Sequence, residues 1–434
     1  MNYAEALEYI HGINRFAKKD GLENMRRLMR ELGDPQDRLR FVHIAGTNGK
    51  GSAAAMTASV LQAAGYRTGL YTSPYLQRFT ERIRVDGKEI PETDVARLAE
   101  TVRGAIARIE AAGGQHPTEL EVVGAIAFLY YEETGCDAVA LEVGLGGRLD
   151  PTNVIKEPLV SVIATIGFDH MAKLGNTLEE IAVEKAGIIK ANCDTVVYEQ
   201  PESVAQVFRE AAQKAGANIT FCDFSSLKQD SFGLSGQRFR YGRRSGLEIS
   251  LIGDFQMQNA ALVIETADAI NRNGGGGLRV PEDALRRGLK EAKWPGRMEI
   301  LCENPTALID AAHNGQCAQA LGGALVKYFP GRELIYILGV VRDKDCDGIL
   351  GPTLPLASHV FTVTTESVRA LEACELARIV RERGGERLAG RVHACGSVAE
   401  AVRRATVLAK ETGAAVCAFG SLYYIGAVRE LYGK

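Results

Sequence analysis

The chain has 434 residues, 46% of them hydrophobic, and its 51 Lys and Arg against 54 Asp and Glu leave a formal net charge of −3. That balance gives no bulk attraction to nucleic acid or to an anionic membrane surface, and the apolar content excludes disorder for most of the chain. No stretch reaches the roughly 18 apolar residues of a membrane span; the nearest, Gly413 to Val428, is broken by Gly420, Ser421 and Gly426.

At about 150 residues per domain the length predicts two or three domains. Met1 to Lys19 reads as an amphipathic helix carrying Leu7, Ile10 and Ile13, and it lacks the apolar core of a signal peptide, so secretion is not expected. From residue 41 onward short apolar runs alternate with helical patterns. Phe41 to Ala45, Thr68 to Thr72, Ala138 to Val143 and Leu159 to Ile166 are expected strands, and Ala53 to Ala64, Glu92 to Ala112 and Glu119 to Glu133 expected helices. Such alternation predicts an α/β fold with a mostly parallel sheet.

Phe232 to Ile252 changes to short alternating segments, an antiparallel hairpin on the sheet's flank with its turn at Arg243 to Gly246. The order Arg238, Phe239, Arg240, Tyr241 is that of a two-faced strand with solvated arginines rather than a nucleic-acid strip. Gly274 to Gly277 follows no strand and reads as a connection, not a phosphate loop. After Trp294-Pro295-Gly296-Arg297 the alternation restarts at Ala307 to Ile309, Glu333 to Val340, His359 to Thr365 and Ala414 to Phe419. The expected domains are therefore 1–296 and a smaller α/β domain over 297–434. Nine scattered cysteines without a Cys-x-x-Cys pair fit neither a disulfide framework nor a zinc site, and a reducing cytoplasm is the natural setting. No heptad seam is visible, so a monomer is expected.

The strongest local signal is His43-Ile44-Ala45-Gly46-Thr47-Asn48-Gly49-Lys50-Gly51-Ser52, which follows a strand and opens an alanine-rich helix. Backbone N–H groups of such a loop, added to the helix dipole, make a phosphate cradle, and Lys50 can reach the outer phosphates. The loop departs from the strict G-x-x-x-x-G-K-[ST] pattern, since Gly51 follows the lysine; a plain glycine-rich turn is the competing reading. Ser73, Glu142 and Asp169-His170 end other strands, where an open parallel sheet gathers its ligands. Glu142 is placed to hold Mg²⁺ directly or through water. A lone loop histidine is more often structural, but four strand ends carrying Lys50, Ser73, Glu142 and His170 would converge on one crevice.

By composition Lys185 is one more solvated helix lysine, and Asn259 heads a helix that it could cap. Arg297 stands at the domain junction, where a guanidinium can clamp phosphate. Asp310, His313-Asn314 and Arg342-Asp343-Lys344-Asp345 follow strands of the second domain; ordinary turn polarity explains each of them equally well. These residues support Mg²⁺-dependent phosphoryl transfer from a nucleotide in a cleft between two α/β domains, and they leave the acceptor open.

Together they resemble the folylpolyglutamate synthase and dihydrofolate synthase family, a branch of the ATP-dependent Mur-type ligases. The matching blocks are Gly46 to Ser52, Thr72-Ser73-Pro74 with Phe79 and Glu81-Arg82-Ile83, Glu142 through Asn153, and Asp169-His170 with Gly175 and Thr177. They continue through Glu184 to Gly187, Trp294 to Arg297, Asp310 with His313-Asn314, Asp343 to Asp345, and Gly420 to Tyr423. The resemblance implies an ATP-dependent amide ligase: ATP phosphorylates a carboxylate of a pterin-containing acceptor, dihydropteroate or a reduced folate, and the amine of L-glutamate attacks the acyl phosphate. It implies that Asn48, Gly49, Lys50, Gly51, Ser52, Asn259, Arg297 and Asp310 contact ATP, with Lys50, His170 and Lys185 catalytic. Ser73, Glu142, His170 and Lys185 would serve two Mg²⁺ sites, Lys185 as a carbamate. Thr118, Glu119, Leu120 and Glu121, with Leu149, Asp150 and Pro151, would contact dihydropteroate.

Tyr75 and Phe255 stand where histidines are common, Pro151 replaces a small residue, and Ala311 a glycine; the first and third bear on the pterin site and on the balance between the two activities. Two other readings compete. A Mur-type ligase of a cell-wall precursor should carry a separate amino-terminal domain, whereas about 40 residues precede the phosphate loop, against roughly 100 for a typical domain. A non-catalytic nucleotide-binding regulatory module would bind without turnover.

Overall fold

The computed structural model describes residues 1–13 and 21–434. The chain forms two compact units, Met1–Lys228 with Arg240–Glu248 and Gln258–Ala292, and Gln229–Phe239 with Ile249–Met257 and Lys293–Lys434. Both are α/β with mostly parallel sheets, as the alternation of strand and helix patterns predicts.

The first unit is built on β1 (Phe41–Ala45), β2 (Thr68–Tyr71), β3 (Ile83–Val85), β4 (Lys88–Glu89), β5 (Ala138–Glu142), β6 (Val160–Ile163), β7 (Asp194–Val197) and β8 (Ile219–Phe221). Their order is β4-β3-β2-β5-β1-β6-β7-β8. The pairs β2–β3 and β3–β4 are antiparallel, and β1, β2, β5, β6, β7 and β8 run parallel. Central strands are covered on both faces, so β1 and β5 are buried at every position and read as mainly apolar runs, apart from His43 inside β1 and Glu142 at the end of β5. Strand β1 lies between β5 and β6, with Ile44 opposite Glu142 and Ala45 opposite Ile163. The chain leaves β1 for one side of the sheet and later returns to the other. Loops at its carboxyl end therefore open into a switch-point crevice, where such sheets bind ligands.

The helix Lys50–Ala63 follows β1 and is buried on nearly every side. It packs between the sheet and the helix Glu282–Glu291. That second packing needs Gly288: a Cβ there would lie 2.4 Å from the Val60 Cα, and Ser59 donates its hydroxyl to the Gly288 carbonyl at 2.7 Å. Helix Glu119–Glu133 is buried almost all round, and it starts at a capping box in which Thr118 accepts from the Glu121 N–H.

A separate three-stranded sheet comprises β9 (Lys228–Gly233), β10 (Gly236–Tyr241) and β11 (Arg244–Ile249), ordered β11-β10-β9. It corrects the expected hairpin in two respects: there are three strands, not joined to the large sheet, and the turn falls at Gly242-Arg243 because Arg244 to Ile249 is itself a strand. Arg238 and Arg240 are exposed and Phe239 and Tyr241 buried, the two-faced pattern expected of them. Gly275–Gly277 is a short connection between the helices Asp254–Arg272 and Glu282–Glu291. The amino-terminal helix spans Tyr3–Gly12; residues 14–19 of its expected extent lie outside the described residues.

The second unit holds β12 (Glu299–Glu303), β13 (Thr306–Ile309), β14 (Leu334–Leu338), β15 (Ala357–Thr362), β16 (Val392–Ala394) and β17 (Ala415–Phe419). Their order is β12-β13-β17-β14-β15-β16, parallel apart from the β12–β13 edge. Its core includes Leu308, Leu325, Tyr336, Leu338, Phe419 and Ile252.

Gly288→Val should destabilise the first unit by about 1–3 kcal/mol through overpacking against Val60, read as a lower denaturation midpoint at unchanged slope.

Candidate active site

The loop after β1 is shaped by close approaches. Gly49 has φ +82°, a left-handed conformation costly for other residues, and a Cβ there would meet the Asn259 Oδ1 at 2.6 Å. Asn259 lies inside the helix Asp254–Arg272, not at its start, so the expected cap is corrected: the side chain is 3% exposed and faces the phosphate loop. Lys50 begins its helix and donates from Nζ to the Thr47 carbonyl at 3.1 Å, folding the ammonium over the loop. Gly51 and Ser52 are buried in the first turn, where N–H groups lack helical partners. The loop is stitched to the segment after β6. Thr47 N–H donates to the Thr165 carbonyl at 2.8 Å, its hydroxyl to the Gly167 carbonyl at 3.0 Å, and Asn48 bridges Thr165.

On the other side of β1, adjacent β2 and β5 bring Ser73 and Glu142 together, with the Ser73 N–H donating to Glu142 Oε2 at 3.0 Å. Glu142 is 5% exposed. The next loop turns back through Asp150, whose Oδ2 accepts from the Leu145 N–H at 2.8 Å and whose Oδ1 accepts from the Thr152 N–H at 3.0 Å. A Cβ on Gly144 would lie 3.2 Å from Asp150 Oδ2 and 3.5 Å from Ser73 Oγ, so this loop runs past both groups.

Lys185 departs most from its compositional reading. It is 3% exposed, and its Nζ donates to the Gly46 carbonyl at 2.9 Å. Its helix is drawn in by Gly147, where a Cβ would be 2.7 Å from the Glu184 carbonyl oxygen, and by the Arg148 N–H, which donates to that oxygen at 2.7 Å. Burial, then the nearby Lys50 ammonium, pull the Lys185 ammonium down to about 7, against the opposing pull of Asp169, Asp150 and Glu184. Lys50, Lys185, Asp150 and Asp169 thus share one electrostatic neighbourhood. His170 follows with a left-handed backbone, φ +51°, its ring half-exposed and its Nε2 3.9 Å from Asp169 Oδ1.

Magnesium prefers oxygen donors, so Ser73 and Glu142 fit a magnesium site, whereas Lys185 would fit only after its nitrogen acquires a carboxylate. Among the described residues no three His, Cys, Asp or Glu side chains form a metal-binding group. A metal here would draw on Ser73, Glu142 and oxygens of a bound phosphate.

The expected pterin segments carry structural tasks as well. Thr118 and Glu121 complete the capping box, with Glu121 Oε2 accepting from the Thr118 N–H at 2.7 Å and its hydroxyl at 2.8 Å. Leu120 is half-buried and Glu119 buried, with Oε1 3.4 Å from the His11 Nδ1. Tyr71 links the two segments: its phenol is raised by burial, and its charged neighbours are Arg82, Asp150, Glu142 and Glu119. The Arg82 guanidinium lies 5.1 Å from the Tyr75 ring centroid, within cation–π range. Leu149 and Pro151 flank Asp150, and Pro151 opens a short buried turn.

In the second unit, Asp310 directly follows β13 and is 5% exposed. Its Oδ2 accepts from the Met298 N–H at 2.9 Å and its Oδ1 from the Ala312 N–H at 2.7 Å; burial raises the carboxyl, while the Arg297 guanidinium opposes that rise. Arg297, Asp310 and His313 are neighbours. Sequence reasoning gave no role of their own to Tyr71 and Thr152, and it named Thr47 and His43 only as members of the glycine-rich loop run. Only Thr47 had a signal, its place inside the glycine-rich loop.

Fold and site define a phosphate-loop enzyme of the Mur-ligase class. Residues 44–267 match the Mur ligase middle domain and residues 296–422 the Mur ligase glutamate ligase domain. The dihydrofolate synthase/folylpolyglutamate synthase of Bacillus subtilis is 37% identical over 380 residues, 86% of this chain and 88% of that protein. The folylpolyglutamate synthase of Lacticaseibacillus casei is 38% identical over 370 residues, covering 84% and 85%. The crystal structure of Mycobacterium tuberculosis folylpolyglutamate synthase complexed with ADP and AMPPCP superposes with a TM-score of 0.89 at 33% identity, over 100% of this chain and 99% of that one. The chain belongs to the dihydrofolate synthase/folylpolyglutamate synthase family and is an ATP-dependent ligase. Among the described residues no helix is long and apolar enough to cross a membrane.

The depressed Lys185 gives a stability prediction. The unfolded chain takes up this proton near the ordinary value of 10.5 and the folded chain only near 7. Stability therefore rises with pH between those values, and the cost of the buried charge is complete below them. Relative to Lys185→Met, the wild type in CO₂-free buffer should gain roughly 1 kcal/mol per pH unit from about pH 7 to about pH 9; a flat difference in urea midpoints would contradict the burial.

Proposed function

We propose that this chain joins the amino group of L-glutamate to dihydropteroate, to a reduced folate, or to both, using ATP. The observation that carries this reading is the phosphate loop flanked by the Ser73–Glu142 pair on one side and buried Lys185 on the other, in a chain whose relatives are named for these two activities. The acceptor carboxylate attacks the γ-phosphorus of ATP and ADP leaves. The glutamate amine then attacks the acyl carbon, and the tetrahedral intermediate expels inorganic phosphate.

The backbone from Asn48 to Ser52 holds the nucleotide phosphates, and Lys50 neutralises charge on the transferred phosphoryl group. Asn259, against Gly49, and Arg297 with Asp310 contact the nucleotide. Ser73, Glu142 and His170 would hold Mg²⁺, which supplies charge neutralisation at the phosphates when bound. Thr118 to Glu121 and Leu149 to Pro151 line the acceptor subsite, with Tyr71 between them.

Lys185 is suited to carbamylation. An amine with a value near 7 is substantially neutral at physiological pH; its lone pair attacks CO₂ and the nitrogen loses a proton, leaving an anionic carbamate beside Lys50. The carbamate anion pairs favourably with Lys50, whereas the protonated fraction of Lys185 is repelled by it. The carbamate oxygens would then serve a second Mg²⁺.

The deciding assay is phosphate release from ATP with Mg²⁺ and L-glutamate, run in parallel with dihydropteroate and tetrahydrofolate, the products weighed by mass spectrometry. Gain of one glutamate on both acceptors establishes a bifunctional ligase, gain on one assigns the activity, and release with neither overturns the reading. Lys50→Ala should lower kcat by about 10²-fold or more with the fold intact. Lys185→Ala should lose most turnover and recover part of it with added acetate or formate, whereas full unrescued activity would defeat the carbamate.

A further inference from the structure

His43 lies inside β1, opposite Leu141 of β5 and Ser161 of β6, and is fully buried. A buried imidazole at the centre of a sheet must justify its two ring nitrogens. Nε2 lies 2.9 Å from the Thr152 hydroxyl, whereas Nδ1 has no partner. The Thr152 hydroxyl donates its single proton to Asp150 Oδ1 at 2.5 Å. That proton is therefore spent, and the imidazole must donate: the neutral ring carries hydrogen on Nε2 and leaves Nδ1 as a bare acceptor. An unpaired acceptor is a milder defect than an unpaired donor, and burial, reinforced by the Lys190 cation, holds the ring neutral by pulling its value down to about 3.

We infer that His43 is a positioning residue, fixing through the Thr152 hydroxyl the direction of the Asp150 carboxylate and with it the loop between Ser73 and the Lys185 helix. Proton donation runs one way, from His43 Nε2 to Thr152 Oγ1 and from Thr152 Oγ1 to Asp150 Oδ1. The second carboxylate oxygen is held by the Leu145 N–H at 2.8 Å. Held at both ends, Asp150 presents only its remaining lone pairs to a ligand. A serine at position 152 could keep the relay and a valine could not, although valine matches threonine in shape.

The inference deepens the proposed acceptor subsite and rests on that reading only for its kinetic consequence. The relay itself is tested on the full chain labelled with [¹⁵N]histidine. Two-bond ¹H–¹⁵N correlations should show one imidazole protonated at Nε2, bare at Nδ1 and unchanged from about pH 8 to about pH 5. It is assigned by its absence in His43→Gln or, should that variant not fold, by its persistence in variants of the other histidines. A ring protonated at Nδ1, or one that titrates in this range, overturns the relay whatever the enzyme's substrate.

The kinetic arm compares Thr152→Val with Thr152→Ser. Valine should raise KM for the pterin-bearing acceptor on the order of tenfold while kcat and KM for ATP stay within about twofold, and serine should restore the wild-type KM. Unchanged acceptor KM in folded Thr152→Val, an equal rise in KM for ATP, or failure of serine to rescue would sink the positioning role. Absence of turnover by the wild type on either pterin acceptor would instead remove the proposed function, and the nuclear magnetic resonance result would still decide the relay.

Discussion

The contact between the Lys185 ammonium and the Gly46 carbonyl constrains the rest of the site. Burying a lysine beside another lysine is costly, because desolvation and like-charge repulsion both oppose the charged form. The fold tolerates it by bringing Asp150 and Asp169 close and by giving Nζ a carbonyl on the phosphate loop itself. The helix of Lys185 can reach that carbonyl only because Gly147 has no side chain to hold it away. The geometry of the phosphate loop and the ionisation of a residue more than a hundred positions further on are therefore a single problem with a single solution.

Around this contact the sheet topology does the gathering. Strand β1 is central, and the loops after β2, β5 and β6 surround its carboxyl end. Cross-links between those loops, from Thr47 to Thr165 and Gly167 and from Ser73 to Glu142, convert separate turns into one preorganised surface. Preorganisation matters here because phosphoryl and acyl transfer leave the protein mainly the tasks of positioning and charge stabilisation. Several polar residues serve structure and site together. Glu121 caps its own helix and Asp150 closes its own turn, so the segments proposed to meet the acceptor are held in place by their own hydrogen bonds.

The second unit repeats the economy on a smaller scale. Asp310 leaves β13 and captures two backbone N–H groups, one on the residue after Arg297 and one ahead of His313. The carboxylate thus ties two turns that a linear reading sees as ordinary polar loops. Turn polarity and ligand contact were equally good explanations of Asp310 and His313 in sequence because both use the same residue types. The β12–β13 pairing sets both beside Arg297, an adjacency that turn polarity alone does not produce.

Local pattern was enough for much of the architecture. Buried parallel strands are mainly apolar on both faces, so β1, β5, β6, β14 and β17 stand out as apolar runs despite His43, Glu142 and Ser161, and a glycine-rich loop between strand and helix points to phosphate binding. The antiparallel segment near residue 240 was misplaced by a few residues because a turn at Gly242-Arg243 and one at Arg243 to Gly246 draw on the same small and polar residues. Lys185, His43 and Asn259 could not be read locally at all. A lysine on a helix is solvated by default, a histidine in a strand is ordinary filling, and an asparagine near a helix start is a cap, unless another part of the chain covers them. The sequence by itself determined the elements, their parallel arrangement and the chemistry of the phosphate loop, since these follow from residue type and short spacing. Only the tertiary structure decided which polar side chains are desolvated and which face one another, because burial and electrostatic coupling belong to contacts between distant segments.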